Sequence, residues 1–68
     1  MDEEIKKYQD RMCDAVIALI ELERDNGRTL SIHGLTRNPI PVRMLAESLI
    51  KQTGRKELQS KLKKALQE

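Results

Sequence analysis

Few side chains in this sequence are equipped for chemistry, and their spacing does not bring them together. Cys13 and His33 are the only cysteine and the only histidine among 68 residues. A zinc site takes about four such ligands, so a Cys/His metal site within one chain is excluded, and no internal disulfide can form. No Ser/His/Asp or Cys/His pair is joined by local spacing. Glu21 and Asp25 stand one helical turn apart on a polar surface, where solvent screens them, and they read as a solvated face rather than an acid/base pair. Gly27, Gly34 and Gly54 are too scattered to cradle a phosphate. The expectation is a protein that is not an enzyme, with no cofactor, no metal and no small-molecule substrate. Cys13 is expected to be a small buried hydrophobe rather than a reactive thiol. His33, beside Gly34, reads as a surface or packing residue more readily than as a pH sensor.

Binding chemistry is better represented. The net charge of +2 conceals an asymmetry. Residues 1–27 hold four basic against eight acidic side chains, and residues 28–68 hold nine basic against three acidic. Acids at the start of a first helix (Asp2, Glu3, Glu4) and lysines at the end of a last one (Lys61, Lys63, Lys64) suit helix dipoles. Arg28, Arg37 and Arg43 have no such explanation. Together with Arg55, Lys56, Lys63 and Lys64 they are the candidate nucleic-acid contacts. With Tyr8 the only aromatic residue, stacking on single-stranded bases is disfavoured.

The elements that position these groups are helical. Leu, Ile, Ala, Lys, Glu and Gln dominate, and such side chains keep most of their rotamer freedom in a helix. Over about residues 3–25, Ile5, Tyr8, Met12, Ala15, Val16, Leu19 and Leu22 recur at three- and four-residue steps, the mark of one helical face. Asp2 is placed to cap the start, and Asp25-Asn26-Gly27 to stop it. At about 100° per residue, Cys13, Ile17 and Ile20 make a second stripe. Either the rest of the chain covers that stripe or a partner does, and the partner is the expectation, because so short a chain has little else to cover it with.

Residues 27–40 form an apolar linker in which Thr29 to His33 alternates polar and apolar, as a short extended segment would, and it is expected to pack on the helices either extended or as one short helical turn. A second helix is expected over about 41–53, with Pro41 in its first position and Val42, Leu45, Ala46 and Leu49 inward. A third is expected over about 55–67, capped by Thr53, with Leu58, Leu62, Ala65 and Leu66 inward. Joined as one helix, these two faces would point in nearly opposite directions, so a turn at Thr53-Gly54 is required. Met44 projects away from the apolar face of its helix and is a candidate contact.

Leu45-Ala46-x-x-Leu49 followed by another helix resembles the first half of a helix-turn-helix, although there a glycine closely follows the final leucine and here Ile50 does. The order of an alternating segment (29–33), a helix, Thr53-Gly54-Arg55 and a basic helix resembles ribbon-helix-helix repressors. That resemblance implies a dimeric β-ribbon whose Thr29, Ser31 and His33 read the major groove. The interval before Pro41 is longer than that family has, and the long N-terminal helix has no counterpart there.

The sequence therefore predicts one all-α domain over 1–68: a long N-terminal helix, an apolar linker and a C-terminal helical hairpin, expected to be dimeric. Its expected work is regulation or adaptation through helix-mediated protein binding as a homodimer, with Cys13, Ile17, Ile20 and Met44 at the protein interface. The alternative is a small dimeric DNA-binding regulator using the basic C-terminal half. The longest apolar run, Ala15 to Ile20, is far short of a membrane span, which takes about 18 residues. With no signal peptide expected and one unpaired cysteine, the cytoplasm is the expected compartment.

Overall fold

The computed structural model describes residues 2–33 and 38–67. It is mostly helical: α1 (Glu3–Asn26), β1 (Ser31–Ile32), β2 (Ile40–Pro41), α2 (Val42–Thr53) and α3 (Lys56–Gln67). The start of α1 is fixed as the sequence suggests. Asp2 accepts a hydrogen bond from the Glu4 N–H at 3.0 Å, and Glu3 and Glu4 place negative charge at the positive end of the helix dipole. It ends at Gly27, whose φ of 61° lies in the left-handed region. There the N–H groups of Gly27 and Arg28 donate to the carbonyls of Arg24 and Glu23, both at 3.2 Å.

The linker folds back on itself. β1 and β2 pair antiparallel, Ser31 opposite Pro41 and Ile32 opposite Ile40. The Val42 N–H, which has no acceptor inside its own helix, donates to the Leu30 carbonyl at 3.0 Å. Pro41 is thus the cap of α2 rather than its first residue. Strand pairing holds it in extended backbone, which a proline's fixed φ allows. Gly34, Leu35 and the expected contact Arg37 lie outside the described residues.

The break at Thr53-Gly54 is present, with Gly54 at φ 67°. Thr53 does not cap α3 as expected. Its hydroxyl donates to the Ile50 carbonyl at 2.6 Å and accepts from the Arg55 N–H at 3.2 Å, tying the turn from within α2. The helix α2 runs antiparallel to α1, since Glu23 meets Arg43 at one end while Ile5 and Thr53 line one groove at the other. Beside them α3 runs parallel to α1, with Asp10 against Arg55 and Asp14 against Lys61.

Cys13, Val16 and Ile20 of α1, Val42, Ala46 and Ile50 of α2, and Leu58 and Leu62 of α3 make the core. The expected inward face of α1 is thus only partly the buried one. Val16 is in the core and Met12 and Leu19 rest on it, but burial extends into the second stripe: Cys13 and Ile20 have 0% exposure. Ile5 and Leu22, expected inward, are each 50% exposed, and Tyr8 is 68% exposed. On α2 the buried line is Val42, Ala46 and Ile50, while Leu45 and Leu49 are half-buried.

Ile50 is fully enclosed, so Ile50→Ala should cost about 2–5 kcal/mol in urea unfolding followed by circular dichroism. Gly54 has open space around it but a positive φ. Gly54→Ala should therefore cost only about 1 kcal/mol, from backbone strain rather than collision.

Candidate functional site

The exposed side of α1 has a regular pattern. Ile5, Met12 and Leu19 recur every seven residues, and so do Tyr8, Ala15 and Leu22; interleaved, the two series are the a and d positions of a heptad seam. The intervening e positions, Gln9, Val16 and Glu23, turn toward α2 and α3, where Val16 and Glu23 are buried. Met12 and Leu19 rest partly on the core, whereas Tyr8, Ala15 and Leu22 face solvent. Across a shallow groove, α2 contributes Leu49, Gln52 and Thr53 opposite Ile5, Tyr8, Gln9 and Met12. No charged side chain lines that groove. Leu45, one helical turn before Leu49, lies on the same side of α2. Within the groove the surface is mixed apolar and neutral polar, and open.

A second surface lies between α2 and α3. Ile50, Leu62 and Leu66 form its floor, and Glu47, Lys51, Gln59 and Lys63 its rim. Lys56 falls seven residues before Lys63 and shares its side of α3. Lys64 does not join them; it lines the α1/α3 groove with Ile17, Glu21, Lys61 and Ala65. Among the described residues, Lys51, Lys56, Lys63 and Lys64 make no ion pair.

Other basic candidates are engaged by their own chain. The Arg43 Nε donates to Glu23 at 2.7 Å. Arg55, with a side chain only 10% exposed, pairs with Asp10 and Glu57, each at 2.8 Å, and also donates to the Lys6 carbonyl and to Gln9. Lys61 reaches Asp14 at 3.4 Å. Arg28 remains exposed, near Arg24, Arg43 and Thr29. Acids of the first helix therefore hold Arg43, Arg55 and Lys61, and Arg28, Lys51, Lys63 and Lys64 divide between separate grooves.

The seam expected from Cys13, Ile17 and Ile20 is not at the surface. α2 and α3 enclose Cys13 and Ile20, and Ile17 is half-buried beside α3. Burial pushes the Cys13 thiol pKa up, which keeps it protonated. Met44 is exposed as expected. His33 is exposed at the end of β1. Among the described residues, no three His, Cys, Asp or Glu side chains gather as a metal site would require. No helix among them is long and apolar enough to cross a membrane.

Sequence reading passed over Glu23, which joins three elements. Its carboxylate accepts from Arg43 and, at 2.9 Å, from the Leu30 N–H. Its spacing from Val16 and Ile20 is the signal that places it on the buried face. The Arg43 hydrogen bond, followed by that from Leu30, holds its pKa below the ordinary carboxylate value. The folded state thus binds fewer protons here than the unfolded chain. The resulting stability is present above the usual carboxylate range and is lost as pH falls through the lowered folded value.

Urea midpoints measured from pH 6 down to pH 2 should fall, and Glu23→Gln should flatten that dependence. Arg55→Ala should lower the midpoint more than Lys61→Ala, because the Arg55 side chain is itself largely enclosed and meets several acceptors; the exposed Lys61 pair is worth at most about 1 kcal/mol. In the native state Cys13 should resist a thiol reagent and react only once urea unfolds the chain.

The chain matches no family model, no curated protein and no solved structure.

Proposed function

We propose that the protein is a non-catalytic regulatory or adaptor module that binds another protein through the uncharged face of α1 and α2. One observation carries this reading. The acids of α1 hold Arg43, Arg55 and Lys61 of the same chain, while Ile5, Tyr8, Ala15 and Leu22 of its heptad seam are left exposed. Interfaces are enriched in Tyr and Met and poor in charge at their centres, and Tyr8 and Met12 sit together in the groove beside Leu49. An amphipathic helix presenting such residues at three- and four-residue steps is a common means of protein recognition.

The second reading, a small DNA-binding regulator, is favoured by Lys51, Lys56 and Lys63 along one side of the α2/α3 hairpin. Two features weigh against it. Arg43 and Arg55 are paired internally, and β1 pairs with β2 of its own chain instead of waiting for a second chain to form a ribbon.

Fluorescence anisotropy with labelled random duplex DNA separates the two. The protein-binding reading expects at most weak association, lost between about 50 and 200 mM salt as counterion release weakens it. Submicromolar binding that persists at the higher salt, and is abolished by combining Lys56→Glu with Lys63→Glu, would transfer the function to DNA.

A further inference from the structure

Resting on the binding face proposed above, we infer that its occupant is a second copy of this chain. The two copies bury their α1/α2 faces against each other about a two-fold axis, and α1 and α2 of each make a four-helix core.

Surface area is the first argument. The chain exposes 5378 Å², whereas a compact monomer of 7.9 kDa exposes roughly 4400 Å². A standard-sized interface removes about 800 Å² from each partner, so one such contact brings the exposed area close to that of a compact fold. The radius of gyration agrees: 12.3 Å against about 11 Å for a compact domain of this length.

The character of the face is the second argument. A two-fold interface must be complementary to itself. The α2/α3 surface carries Lys51 and Lys63 with Glu47 on its rim, so meeting its own copy would bury charge. The groove that α1 and α2 form around Tyr8, Met12 and Leu49 has no charged side chain in its lining and can meet its copy without that cost. The seam is also balanced about its middle. Ala15 stands seven residues from Tyr8 and seven from Leu22, so a small side chain allows close approach at the centre and large ones fill the space on either side.

The third argument is stability. Domains below roughly 70–80 residues tend to need a disulfide, a metal or a partner subunit, and one cysteine and one histidine supply neither of the first two. A partner that contributes to stability is most useful when it is present wherever the chain folds. A second copy meets that condition.

Sedimentation equilibrium between about 5 and 200 µM tests this, with association strength read as a dissociation constant. The wild type should sediment at twice the 7.9 kDa chain mass. Lys63→Glu should leave it dimeric, and Tyr8→Glu should weaken association by about 100-fold or more, as loss of a buried aromatic contact does. Should Tyr8→Glu prevent folding, Ala15→Cys gives an independent answer. Mild oxidation should link two copies of that variant through position 15, while the wild type stays unlinked because Cys13 is enclosed. A wild type that is monomeric throughout overturns the second-copy occupant and leaves the face to a different protein. A dimer that survives Tyr8→Glu and leaves Ala15→Cys unlinked overturns both this inference and the binding face itself.

Discussion

Everything in this fold follows from the apolar arc of α1 being wider than the rest of the chain can cover. Counted at about 100° per residue, apolar side chains run from Ile17 through Cys13, Ile20 and Val16 to Leu19, Tyr8 and Leu22, more than half of the circumference. Two helices of twelve residues each cover the middle of that arc and one flank. The other flank, with its heptad spacing, stays open. The apolar edges of α1 and α2 meet there along a groove that no charged side chain lines, and that groove is the proposed binding surface.

Charge decides how the covered part is arranged. Apolar packing alone is tolerant of sliding and rotation, but three pairs fix the helices at defined points: Glu23 to Arg43 at one end, Asp10 to Arg55 at the other, and Asp14 to Lys61 between. The partly enclosed pairs matter most, since an exposed pair such as Asp14–Lys61 adds little stability. Glu23 also takes the Leu30 N–H, so the same carboxylate orders the entrance to β1. These contacts explain part of the charge asymmetry: Arg43, Arg55 and Lys61 of the basic half have acidic partners on the first helix.

The helices and their ends were legible because they depend on local chemistry. The Asp2 cap, the Gly27 and Gly54 stops and the incompatibility of the Val42 and Leu58 faces across one straight helix are all written within a few residues. The covered side of α1 was not legible. Periodicity reveals two stripes but cannot say which of them α2 and α3 will choose, and the more populous stripe read as the inward one. The structure centres burial on Val16, between the two, and places Glu23 within the buried line. That placement depends on Arg43, far away in sequence, so a carboxylate at the edge of the core reads locally as an exposed one. The second surface was legible in part: Lys56 and Lys63 share a helical side by spacing alone, but the internal capture of Arg43 and Arg55 is a tertiary fact. The same limit applies to the linker, where alternation suggested extended backbone but not that β2 would be its mate.

The most direct test of the proposal that a second copy covers the heptad face is hydroxyl-radical footprinting of the intact protein across a dilution series, read residue by residue. The account predicts that Tyr8 and Leu22 are protected at high concentration and become labelled on dilution, while Cys13 and Ile20 stay protected at every concentration at which the chain is folded. Labelling of Tyr8 that is equal at all concentrations, or labelling of Cys13 before unfolding, would contradict it.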